Sequence, residues 1–245
     1  MVTKQLDGWL NKNYLVVNTI KTVAISFHYI QSTPLKPNIF IQNSKITYTR
    51  EVKLLGIYVM ENLNWQSHVK FLGNSLSKTY YMIRALKQTV SNHIFWNIYV
   101  AHFQSKMRYG IVLWGRSREC MKILNIQKKK VIRMMTGLEK RESCKRKFKE
   151  LGILTVISLC VLEVLCYMKK YTGSILENSV IHDHNTRRKI DFHIQACRTS
   201  SFQKSVINTG IKRFNHFPLQ LKQLHDFKLF RKTEVTPTEQ IILYT

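Results

Sequence analysis

The sequence predicts an α+β fold: short antiparallel strands and hairpins at the N-terminus, then a mainly α-helical bundle, then an irregular C-terminal tail. Three observations predict it. β-branched and aromatic runs separated by turn residues fill the first third of the chain. From Asn64 onward the apolar residues recur at intervals of three and four, the period of a helix face. From Tyr171 the pattern turns mixed and polar, with fewer periodic runs.

The elements follow in order. Asp7 to Leu10 reads as a helix end, closed by Asn11 to Asn13. Tyr14–Asn18 and Thr22–His28 read as strands, separated by turn residues. Pro34 and Pro37 mark a loop, and "IFIQ" and "KITYT" flank a hairpin turn at Asn43-Ser44. "VKLLGIYV" is the next strand, with Gly56 inside it. A glycine there marks a bend or bulge, or a place where another backbone comes close.

Trp65, Val69, Leu72, Leu76, Tyr80, Ile83 and Leu86 form one face of an amphipathic helix with Asn64 as N-cap. Ser91 caps a second helix that runs to Gly115. A third covers Arg118 to Thr136 and stops at Gly137, where helices favour glycine. Leu151 to Met168 makes a fourth. The division expected is residues 1–62, 63–172 and 173–245.

Composition bounds the partners. Lys plus Arg number 39 against 14 Asp plus Glu, a net charge of +25 with a sequence pI near 10.0. That excess calls for a polyanion, and nucleic acid is the first candidate, an acidic membrane the second. Five cysteines without a C-x-x-C pair argue against a disulfide framework or zinc site. No secretory signal opens the chain, so an intracellular place, nuclear or cytoplasmic, is expected. Leu151 to Met168 carries a single charge, Glu163; it reads as a buried core helix, with a membrane anchor as the alternative.

Between Lys128 and Lys149 ten cations face only Glu139 and Glu142: Lys128, Lys129, Lys130, Arg133, Lys140, Arg141, Lys145, Arg146, Lys147 and Lys149. Interleaved apolar residues, Val131, Ile132, Met134, Met135 and Phe148, bury one face while the other projects cations toward phosphates. Aromatics at helical spacing, among them Tyr80, Tyr81, Phe95, Trp96, Tyr99, Phe103 and Tyr109, fit core packing better than base stacking. "HDHN" at His182 to Asn185 is a weak metal-ligand pattern, and no metal site is expected. Metal-dependent phosphoryl transfer needs clustered carboxylates. The first 110 residues hold only Asp7, Glu51 and Glu61, and no Asp-Asp pair occurs anywhere.

Several segments resemble the reverse transcriptases of non-LTR, LINE-type (jockey-like) retrotransposons. "WLNKNYLVVNTIKTVAISF" is similar to the stretch after that family's catalytic Asp-Asp motif, through Trp9, Asn13, Leu15, Asn18, Lys21, Thr22 and Phe27. "VKLLGIYVMENLNWQSHV" is similar to its leucine-glycine hairpin and L-x-W-x-x-H motif, through Leu55, Gly56, Ile57, Leu63, Trp65 and His68. "MRYGIVLWG", "IQKKKVIRMMTG", "ELGILTV", "HNTRRK" and "GIKRFNHFPLQLK" follow in the family's order, so the likeness runs from Gln5 to Lys232.

The resemblance implies a palm remnant with a primer-grip-like hairpin at Leu55, Gly56 and Trp65. Lys21 matches the palm lysine behind the active site. Residues from Trp65 onward match a thumb that holds template–primer duplex by its phosphates. The family is an RNA-directed DNA polymerase that uses Mg²⁺. This chain holds no complete catalytic set and no cofactor site, so the expected product is a truncated, nucleic-acid-binding relative that cannot polymerise alone. Another chain supplying the carboxylates, and an unstable gene remnant, are the further readings.

Overall fold

The computed structural model describes residues 2–28, 32–183, 187–222, 224 and 226–233. The fold is α+β, and the chain forms two compact units, Met1–Phe71 and Leu72–Thr245. The boundary falls inside one helix rather than ahead of it.

The first unit opens with α1 (Val2–Lys12). Asn13 closes it: its amide donates to the Trp9 carbonyl at 2.8 Å, and Leu15 N–H reaches back to Leu10 at 2.9 Å. This closure takes up the segment that the sequence predicts as a strand. Tyr14 sits at φ 55° and Tyr14–Asn18 pairs with no strand.

The second expected strand shrinks to β1 (Val23–Ala24). Next come β2 (Phe40–Ile41), β3 (Ser44–Lys45) and β4 (Thr47–Tyr48). β1 pairs with β4 in parallel, where only antiparallel pairs were expected. β2 and β3 form the expected hairpin one residue early. Its turn residues are Gln42 and Asn43, at φ 47° and 61°, the left-handed pair that a two-residue hairpin turn requires.

β5 (Glu51–Leu54) and β6 (Ile57–Met60) pair antiparallel in the register Leu54↔Ile57. Gly56 is therefore not within a strand. It is the second residue of a tight turn, at φ 82° after Leu55 at φ 47°. Both residues are left-handed, as in a type I′ turn, and glycine alone adopts that conformation without steric cost. Gly56→Val is expected to cost about 1–2 kcal/mol, because a β-branched residue resists φ > 0. Gly56→Asn should cost distinctly less. Chemical denaturation of both variants measures this, and equal costs would discard the backbone explanation.

The second unit contains the large core. α2 (Gln66–Leu86) crosses the boundary, and Asn64 caps it as expected, its Oδ1 accepting from Gln66 N–H at 3.0 Å. None of the seven predicted apolar positions is exposed.

α3 (Asn92–Ile98) follows Ser91 and runs through a π-helical stretch, Tyr99–Gln104, into α4 (Ser105–Arg108). The single helix expected as far as Gly115 breaks here. Gly110 turns left-handed at φ 61° before α5 (Ile111–Trp114), and the Trp114 indole N–H satisfies the Tyr109 carbonyl at 3.0 Å. α6 (Cys120–Ile126), a second π-helical stretch at Gln127–Ile132, and α7 (Arg133–Thr136) make the third expected helix. It ends at Gly137, φ 71°, as anticipated.

α8 (Lys145–Glu150) is closed by Gly152 at φ 61°. That closure delays the apolar helix: α9 (Val156–Lys170) starts five residues after Leu151, with the Thr155 hydroxyl accepting from Ser158 N–H at 3.1 Å. Ten of its 15 residues are buried. Glu163, its one acidic residue, pairs with Arg108. Among the described residues no helix is long and apolar enough to cross a membrane.

The C-terminal region contains α10 (Asn178–Ile181), α11 (Ser200–Gln203), α12 (Val206–Asn215), α13 (Leu219–Lys222) and α14 (Phe227–Thr233). The sequence places a boundary after residue 172, but these residues belong to the same compact unit as the bundle. α12 lies against α9 so closely that a Cβ at Gly210 would strike the Met168 thioether.

Candidate nucleic-acid interface

The basic run divides into two kinds of cation. Arg133 turns back on its own loop: its guanidinium donates to the carbonyls of Glu139 and of Glu142, the latter at 2.7 Å. Lys130 reaches α2, where its ammonium donates to the Ser77 hydroxyl at 3.2 Å and lies 5.9 Å from the Tyr80 ring centre. These two brace the fold. Lys128 and Lys129 lie in the second π-helical stretch, and their side chains fall outside what the structure describes.

The other kind projects outward. Lys140 and Arg141 lie on the braced loop, and Lys145, Arg146 and Lys149 lie on α8; all five are exposed. Phe148, 1% exposed, plugs α8 into the core, so the helix offers its remaining faces to solvent. Lys147 is taken by Glu150 at 2.6 Å, and its ammonium holds that carboxyl below the ordinary value. A fixed loop and a helix plugged at one point thus present exposed cations that form no salt bridge among the described residues, an arrangement suited to phosphate oxygens.

Apart from Lys21, the sequence singles out no cation outside that run. Lys78, Arg84 and the 61%-exposed Tyr81 lie on the solvent side of α2. The signal for them was the gaps in the apolar period, which name the exposed face. The aromatic series splits: Phe95, Tyr99 and Phe103 are buried, with Tyr99 and Phe103 stacked at 5.6 Å, while Tyr81 and Tyr109 are exposed.

The motif residues of the first unit are placed separately. Lys21 is exposed in a turn, its N–H donating to the Asn18 carbonyl at 3.1 Å. Leu55 is 82% exposed at the hairpin tip beside Gly56. Trp65 is half-buried immediately before α2, its carbonyl accepting from Val69 N–H at 2.9 Å. His68 is buried, and burial lowers its pKa. At neutral pH it is an uncharged packing residue, not a phosphate contact.

Of the "HDHN" pattern, His184 and Asn185 lie outside the described residues; His182 stands 5.6 Å from the His193 ring. No protein-family model, curated protein or solved structure matches this chain.

Proposed function

We propose that this protein binds nucleic acid through phosphate contacts, as a reverse-transcriptase-like thumb and post-thumb region of non-LTR retrotransposon type. The observation that carries the reading is the exposed set Lys140, Arg141, Lys145, Arg146 and Lys149 on a braced loop and helix, none of them in a salt bridge among the described residues. Ordered motifs from Trp9 to Lys222 support the family assignment, and a template–primer duplex is the partner that assignment favours. Contacts of this kind neutralise backbone charge and release counterions, without reading bases. Polymerisation belongs to the parent family and its Mg²⁺-binding carboxylates; the sequence carries no adjacent pair of them.

Fluorescence anisotropy with an RNA–DNA hybrid, titrated across salt concentrations, tests the reading. Log affinity should fall linearly with log salt, with a slope near −4.5 if about five phosphates are contacted at ~0.9 each. Affinity should vary little with duplex sequence. A flat salt dependence would sink the proposal.

A further inference from the structure

A cavity of about 260 Å³ lies among the turn after α5, the start of α6, the middle of α9 and one side of α12. Two arginines border it, the half-buried Arg116 and the exposed Arg213, and among the described residues no carboxylate lines it. Glu163, the acid whose charge reaches neighbouring Cys160, already pairs with Arg108. Arg116 is fixed in place, its guanidinium donating to the carbonyls of Lys204 at 3.0 Å and Ser205 at 3.1 Å. Burial works against its charge, and so does Arg213.

A second feature is independent of the charges. The Ser117 hydroxyl oxygen, also on the lining, is shut off from solvent and has no hydrogen-bond partner among the described residues. A buried hydroxyl left unpaired costs about 1–3 kcal/mol, so such a group marks a place where a partner is missing. The wall thiols do not supply an anion. Burial pushes Cys120 up to about 12 and Cys160 up to about 11, so both are neutral at physiological pH.

We infer that this cavity binds a small phosphomonoester, its phosphate between Arg116 and Arg213 with the Ser117 hydroxyl donating to it, and its organic body against Ile157 and Val161. Two guanidinia with no counter-ion among the described residues match the double charge of a phosphomonoester, and guanidinium forks suit its oxygens. The cavity is smaller than most drug-sized sites, so a body of few atoms fits. The site is separate from the exposed cations of the loop and α8.

The test is calorimetry and thermal melting of the full chain with inorganic phosphate, glycerol phosphate and a 5′-phosphorylated oligonucleotide, against chloride at equal ionic strength. Saturable binding of at least one phosphate probe is expected. Arg213→Ala and Ser117→Ala should each weaken it by about tenfold or more, the value of a charge-assisted contact. Ser117→Ala should leave the unliganded melting temperature unchanged or higher, which a structural role for the hydroxyl would not allow. Preference for the oligonucleotide would name a nucleic-acid terminus as the phosphate source; preference for glycerol phosphate would name a free metabolite. Equal binding by Arg213→Ala and the parent protein, or a response that chloride reproduces, overturns the inference. Lys140→Gln/Arg141→Gln should leave this binding intact while weakening duplex binding, so failure of one proposal is distinguishable from failure of the other.

Discussion

Gln127→Leu is expected to destabilise the protein by about 2–5 kcal/mol, because it strands two buried backbone groups at about 1–3 kcal/mol each. Gln127 is fully buried at the first residue of the second π-helical stretch. Its amide nitrogen donates to the Leu154 carbonyl at 2.9 Å, and its amide oxygen accepts from Val156 N–H at 3.0 Å. Val156 is the first residue of α9, and the start of a helix leaves N–H groups that need outside acceptors. Gln127 thus fastens the helix richest in buried residues to the basic helix. Leucine keeps the volume and removes both bonds. The melting temperature should fall by about 5–15 °C for a chain of this length. Tyr99→Phe is the control: the Tyr99 hydroxyl is 3.4 Å from the same amide, a long contact, and its loss should cost about 1 kcal/mol or less. A Gln127→Leu loss no larger than that of Tyr99→Phe would show that the bridge does not hold α9.

Neutralising Lys140, Arg141, Lys145 and Arg146 together as glutamine is expected to weaken duplex binding by at least about 100-fold at low salt, and to lower the salt slope by about 3–4 units. The variant should fold normally, since all four side chains are exposed and the bracing contacts of Arg133 and Lys130 remain. Arg133→Gln has the opposite profile. It should destabilise the loop Gly137–Ser143 first and weaken binding only through that loss, because its guanidinium faces two backbone carbonyls. Hydrogen exchange over the loop, read beside anisotropy, separates the two effects. A quadruple variant that binds duplex like the parent would move the interface elsewhere, with the exposed side of α2 around Lys78 and Arg84 the next surface to test.

The long helices were legible because burial on one side imposes a three-four period that needs no partner to be seen. Residues Trp65 to Leu86 show it, and the Asn64 cap and the Gly137 stop are local chemistry. The strands were less legible. Tyr14–Asn18 has strand composition, but a strand exists only where another backbone pairs with it, and here the chain folds back to cap α1 instead. Gly56 followed the same rule: the residue type announced a special backbone, while the pairing of Leu54 with Ile57 decided that it was a turn.

By itself, the sequence determined the α+β class, the helical middle, the excess of positive charge and the run of cations that carries it. Only the tertiary structure decided which cations are free to meet a phosphate. Arg133 and Lys130 are spent on a loop and a neighbouring helix, whereas Lys140, Arg141, Lys145, Arg146 and Lys149 are not buried by any contact. Only it brought Arg213, from far along the chain, to the same cavity as the neighbours Arg116 and Ser117. The reason is physical: a residue's charge is written in its type, but its availability depends on which donors, acceptors and apolar surfaces the fold brings within reach.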